Sequence, residues 1–303
     1  MKNKNFLTIE DLEQGEIESL LLTAQKMKEG QKFQTLENKM IALIFEKPSL
    51  RTRVSFEVGI KQMGGNCIFL SNNEIGLGIR EPVSDVAKVL DRLVDVIVAR
   101  VFSHNTLIDI SQNTDVPVIN ALSDEAHPCQ AIGDLLTIYE HKNKLAGLKL
   151  AFIGDGNNIA GSLALASAST GMDFVICSPE QYQLPKHIWR KAQNISALTG
   201  SKINWTSIPE EAIKNADIVY TDVWVSMGDE NEREKRLKTF APYQVTENLV
   251  QNANYDFLFM HDMPAHRGEE ISQNMLDHTN SVVYQQAENR LHAQKSVLHK
   301  LME

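Results

Sequence analysis

Short apolar runs rich in β-branched residues recur along this chain, and segments with helical periodicity separate them. That alternation leaves little choice but parallel α/β sheets. The runs are Ile41–Phe45, Cys67–Leu70, Val94–Ala99 and Val116–Ile119, then Leu148–Ile153, Phe174–Cys177, Ile203–Trp205, Ile218–Thr221 and Phe257–Met260. Helical spacing appears at Ser84–Leu93, Cys129–Tyr139, Ile159–Thr170 and Pro209–Ala216. A chain of 303 residues, 43% of them hydrophobic, is large enough for two cores. We therefore expect an α/β fold of two doubly wound parallel-sheet domains joined by helices. The break is placed near Asn143–Gly147, giving domains of residues 1–145 and 146–285. The tail Gln285–Leu301 reads as one long helix, so residues 286–303 are expected to pack back on the first domain.

The unit Ile41–Met63 carries the first chemical signal. Its strand ends at Pro48, Ser49 sits where an N-cap belongs, and Val54, Phe56, Val58, Ile60 and Met63 follow at helical spacing up to Gly64-Gly65. Ser49-Leu50-Arg51-Thr52-Arg53 thus lies at a helix N-terminus, where unpaired N–H groups and the helix dipole favour an anion. Two hydroxyls and two forked guanidiniums add donors suited to phosphate oxygens. The same residues also suit a capped surface helix with solvated arginines.

The net charge of −9 speaks against nucleic acid or an anionic membrane as partner, so an anionic ligand must be drawn in by local cations. Cys67, Cys129 and Cys177 are odd in number, lack metal-ligand spacing and fit a reducing compartment. No apolar run approaches membrane-spanning length and the opening residues lack a signal-peptide core, so a cytoplasmic location is expected.

Ligands of open parallel sheets bind beyond the carboxyl ends of the strands. Here the runs lead into Ser49, Arg100, His127-Pro128-Cys129-Gln130, Gly154-Asp155-Gly156-Asn157-Asn158, Asp222 with Ser226-Met227-Gly228, and His261-Asp262-Met263-Pro264. The first half offers cations and neutral donors, as a phosphate-bearing carbonyl compound needs. The second offers amides and carboxylates, as an amino-acid-like cation needs. Singly, His127 also reads as a helix-start histidine, Asn157-Asn158 as a turn and cap, Asp222 as a cap and Met227 as packing. Gly154-x-Gly156 lacks a third glycine three residues on, where Ile159 stands, which argues against a dinucleotide loop.

Nearly end to end, the chain resembles the aspartate/ornithine carbamoyltransferase family, on its ornithine side. The resemblance rests on SLRTR (Ser49–Arg53), ARVF (Ala99–Phe102), HPCQ (His127–Gln130), GDGNN (Gly154–Asn158), DVWVSMG (Asp222–Gly228), HDMPAHRGEE (His261–Glu270) and Arg290. It implies that residues 1–145 bind carbamoyl phosphate and residues 146–285 bind ornithine. Ser49, the Leu50 backbone, Arg51 and Thr52 would hold the phosphate; Arg100, His127, Gln130 and Arg290 would complete that pocket. Asn158, Asp222, Ser226, Met227, Asp262 and Met263 would hold the amino acid. Arg51, Arg100, His127 and Asp262 are the candidate catalytic residues. The resemblance further implies citrulline and phosphate as products, within arginine metabolism, a homotrimer with sites at subunit boundaries, and neither metal nor cofactor.

Three positions depart from the family pattern. Asp262-Met263 stands where most of the ornithine enzymes carry Cys-Leu, which sets a second carboxylate beside Asp222; Leu50 replaces a threonine; Gly76 stands where related enzymes often place a glutamine, and Arg80 reads either as a cation in its stead or as a solvated loop arginine. Two other readings stay open: a carbamoyltransferase for another amine, or a non-catalytic amino-acid-binding paralogue.

Overall fold

The computed structural model describes residues 4–226, 228 and 230–303. Nine strands and eleven α-helices run through these residues. The chain divides into two compact units, Met1–Leu136 with Glu288–Glu303, and Thr137–Ala287.

In the first unit, β1 (Met40–Phe45), β2 (Asn66–Ser71), β3 (Val96–Arg100) and β4 (Val118–Leu122) form a parallel sheet in the order β2-β1-β3-β4. Its helices are α1 (Glu16–Lys28), α2 (Leu50–Gln62), α3 (Asn72–Ile75), α4 (Val83–Leu90), α5 (His104–Gln112) and the start of α6 (Pro128–Lys142). All five β3 residues are buried, as expected of a parallel strand covered on both faces. On one face Ala42, Ile44, Ile97 and Val118 pack against Val86 of α4 and Leu107 and Ile110 of α5. Each large apolar side chain so buried contributes about 1.5–3 kcal/mol.

The second unit holds β5 (Lys149–Ile153), β6 (Asp173–Cys177), β7 (Ile203–Thr206), β8 (Ile218–Thr221) and β9 (Leu258–His261), parallel in the order β7-β6-β5-β8-β9. Around them lie α7 (Asn158–Thr170), α8 (Lys186–Thr199), α9 (Pro209–Ile213), α10 (Arg233–Phe240) and α11 (Val283–Met302), the last of which returns to the first unit from Glu288. Among the described residues no helix is long and apolar enough to cross a membrane.

Both sheets reverse direction once in their strand order, between β1 and β3 and between β5 and β8. Such switch points open the crevices where ligands of this architecture bind. Phe45 is paired with Arg100 at one of them and Ile153 with Thr221 at the other.

Two strands, β3 and β4, begin two residues later than hydropathy suggests. Asp95 accepts the Met40 N–H and the Lys39 ammonium, each at 2.9 Å, and β3 starts after it. Val116 donates its N–H to the Asp91 carboxylate at 3.1 Å and Pro117 has none to give, so β4 starts at Val118.

Candidate active site

The first unit builds an anion-seeking helix end at its switch point. Ser49 caps α2 by accepting the Thr52 N–H at 3.3 Å and donates its own hydroxyl hydrogen to Thr52 Oγ1 at 2.9 Å. Leu50 and Arg51 lie in the first turn, where N–H groups have no intrahelical acceptor. Leu50 is 75% exposed and its side chain has no hydrogen-bonding group, so only its backbone N–H can serve this site. Arg290 of α11 is buried and donates to Thr52 Oγ1 at 2.7 Å, which ties the terminal helix to the first turn of α2.

Arg100 ends β3 in a buried position, and its carbonyl accepts the Glu46 N–H at 2.9 Å. That bond fixes the loop before Ser49 against the end of β3. His127, also buried, precedes α6, and Gln130 occupies the first turn of that helix. Asp134, one turn on, holds Gln130 Nε2 at 2.8 Å. Among the described residues, Gln130 Oε1 and Arg51 Nε are buried with no hydrogen-bond partner. The pair leaves one acceptor and one cationic donor for a ligand.

The second unit places carboxylates and amides at the other switch point. Asn157 caps α7 through Oδ1, which accepts the Ile159 and Ala160 N–H groups at 3.0 and 3.1 Å. Its Nδ2 donates to Asp222 Oδ2 at 2.7 Å, and the Val223 N–H donates to Asp222 Oδ1 at 2.7 Å. Asn158 begins α7, partly buried. Ser226 is partly buried in the loop beyond β8, and the Met227 expected beside it lies outside the described residues.

Ligating atoms of Asp222, His261 and Asp262 all lie within 4.8 Å of one another. Burial, and then the negative charge of Asp262, push the Asp222 carboxyl well above the usual carboxylate range. His261 is fully buried, with Nε2 3.2 Å from Glu270 Oε1. Two groups compete for its Nδ1: the Met263 N–H at 2.9 Å and the Asp262 carboxylate at 3.5 Å. Burial opposes a charged ring here, but hydrogen bonding to Asp262 and Glu270 outweighs it and lifts the imidazole to about 9. Met263 itself has a positive φ of 61° and packs its side chain on the core of this unit. Asn157, Val223 and Met263 already donate hydrogen bonds into this cluster.

Burial pushes the thiols of Cys129 and Cys177 up to about 12, so neither supplies a nucleophile. Two contributors, Asn157 and Glu270, are not evident from sequence. Asn157 reads as a cap, and capping employs only its Oδ1, leaving the amide nitrogen for Asp222. Glu270 carries no signal of its own until the fold buries it against His261.

Family models meet this geometry in both units. The "Aspartate/ornithine carbamoyltransferase, carbamoyl-P binding domain" matches residues 4–140, and the "Asp/Orn binding domain" matches residues 146–301. The chain belongs to the aspartate/ornithine carbamoyltransferase family. Among members of this carbamoyltransferase family, ornithine carbamoyltransferase of Anoxybacillus flavithermus is 49% identical over 306 residues, covering 100% of this chain and 98% of the relative. That of Bacillus subtilis is 46% identical, covering 99% of this chain and 94% of the relative. The solved ornithine carbamoyltransferase of Pyrococcus furiosus has a TM-score of 0.94 at 45% identity, covering 97% of this chain and 95% of that one.

Proposed function

We propose that this protein transfers the carbamoyl group of carbamoyl phosphate to the δ-amine of L-ornithine, giving L-citrulline and phosphate. The observation that carries the reading is the unsatisfied pair in the first unit. Arg51 Nε calls for an anion and Gln130 Oε1 for an N–H donor, and carbamoyl phosphate presents both. In this reading Ser49, the Leu50 N–H, Arg51 and Thr52 hold the phosphate, with Arg290 bracing Thr52. Arg100 and His127 bind the carbonyl oxygen, and Gln130 accepts from the carbamoyl NH2. Asn158, Asp222, Ser226 and Met227 hold the α-amino and α-carboxylate groups of ornithine, with Asp262 and Met263 bordering them.

The chemistry follows from those assignments. The neutral δ-amine adds to the carbamoyl carbon, the bond from that carbon to the phosphate oxygen breaks, and the phosphate takes the electron pair. The new C–N bond is completed as the amine loses a proton, which the departing phosphate takes up. Arg51, Arg100 and His127 stabilise the charge that gathers on the carbonyl oxygen and the departing phosphate. Holding both substrates in line lowers the entropic part of the barrier by several kcal/mol, on the order of 7 at best.

Three further features belong to the reading. A homotrimer with sites at subunit boundaries is supported by an exposed apolar stripe, Leu50, Val54 and Val58 at every fourth residue of α2, with Ile68 exposed on the edge strand β2. Stripes of this kind mark association surfaces. A cytoplasmic setting agrees with three unpaired cysteines. An anabolic role in arginine biosynthesis follows the Pyrococcus furiosus relative, which is named anabolic and is 45% identical.

The test is a citrulline assay with ornithine, run beside putrescine, lysine and N-acetylornithine. Turnover with ornithine alone is expected. Turnover with another amine would transfer the specificity to that amine. No turnover, with carbamoyl phosphate still raising the melting temperature, would mean a binding paralogue.

A further inference from the structure

One buried cation of the second unit lies outside the residues assigned above. Arg236 is only 5% exposed, whereas its neighbours Arg233, Glu234 and Lys235 in α10 face solvent. A charge held this far from water needs partners, and besides Glu232 and Phe240, one turn either side of it, these come from other parts of the chain. Its Nε donates to the Trp224 carbonyl at 2.6 Å, and its Nη2 is ion-paired with Asp155 Oδ2. The guanidinium plane lies over the Tyr182 ring, 4.8 Å from its centroid, and Tyr182 in turn accepts the Gly156 N–H at 2.8 Å.

The position of those partners gives the contacts their meaning. Asp155 lies in the loop after β5, two residues before the Asn157 that donates to Asp222 and three before Asn158. Trp224 lies in the loop after β8, midway between Asp222 and Ser226. One planar fork therefore clasps the two loops of the β5/β8 switch point at a site between their ligand-binding groups. An apolar side chain of equal volume would fill the space, but only a rigid guanidinium sets two directional bonds at once.

We infer that Arg236, paired with Asp155, is a positioning residue that sets Asn158 against Asp222 and Ser226, and so controls affinity for the amino-acid substrate without touching it. The inference rests on the ornithine reading of this half. It accounts for a buried charge where α10 is otherwise solvated apart from Leu237, Thr239 and Phe240.

The test compares steady-state constants of wild type, Asp155→Asn, Arg236→Lys and the double variant. Asp155→Asn keeps the side-chain shape, and Arg236→Lys keeps the charge but loses the fork, so both are mild enough to fold. The expected result in each single variant is an ornithine KM raised about tenfold, with kcat at saturating ornithine and the carbamoyl phosphate KM within about twofold of wild type. The double variant should be no worse than the poorer single one, because both break the same clasp. An unchanged ornithine KM, or both KM values rising together with a falling Tm, would overturn the positioning role. Wild type that forms no citrulline would overturn the ornithine reading itself, and the inference with it.

Discussion

Asp262 sets a carboxylate beside the buried Asp222, and the consequence is electrostatic. Asp262 borders the site assigned to the α-amino group, and its added negative charge also acts on the substrate δ-ammonium, which then holds its proton more tightly, so the attacking free amine appears only at higher pH. Removing one carboxylate should move the acidic limb of kcat/KM for ornithine toward lower pH by about one unit in Asp262→Asn or Asp262→Cys. Superimposable pH profiles would remove Asp262 from the account. His261 makes a second prediction, of stability. Its folded value of about 9 lies above the ordinary 6.5, so the folded chain holds the proton more tightly than the unfolded one. That stabilisation is complete below pH 6.5 and lost as pH rises through about 9. The raised Asp222 carboxyl leans the same way. The Tm of the ligand-free protein should fall by on the order of 5 °C across that window, and His261→Gln should flatten the slope. At the anion end, Arg51→Met should lower kcat/KM by about a hundredfold or more, as loss of a charge-stabilising donor does. A loss confined to the ornithine KM would misplace Arg51.

At the scale of elements, the loop between β5 and α7 is the tightest fit. A Cβ on Gly156 would come within 2.4 Å of the Gln183 carbonyl carbon, a backbone atom that cannot swing aside. Gly156→Ala should therefore cost about 1–3 kcal/mol and lower Tm by several degrees, with the ornithine KM rising as the Asn157 cap shifts. Unchanged melting would show that the loop relaxes freely. Much of this level was legible beforehand, because the strands are short apolar runs, all but β9 with β-branched residues, and the Ser49 cap has its own sequence signature. The boundaries at Val96 and Val118 were less so. They depend on Asp95 and Asp91 reaching back to backbone groups far away in sequence, and no local window contains both partners. Asn157 was half legible: its cap role is local, whereas its bond to Asp222 spans 65 residues.

For the whole molecule, the two parallel sheets followed from alternation, and the site halves from what stands after each strand. The roles of Arg236 and Glu270 were hidden, since a charged residue reads as surface until the fold buries it. The exposed stripe of α2 predicts association: the protein should sediment at about three times its 34.0 kDa chain mass, and Val54→Glu with Val58→Glu should release monomers. A wild-type protein that sediments as a monomer would contradict the trimer. The transfer itself is tested by following the carbon. Carbamoyl phosphate labelled with 13C is incubated with ornithine and the purified protein, and the products are observed by NMR. The label should move to the ureido carbon of citrulline as phosphate is released, and Arg51→Met should suppress the transfer. Label that stays in carbamoyl phosphate or decays only to carbonate and cyanate, at the rate seen without protein, would contradict it.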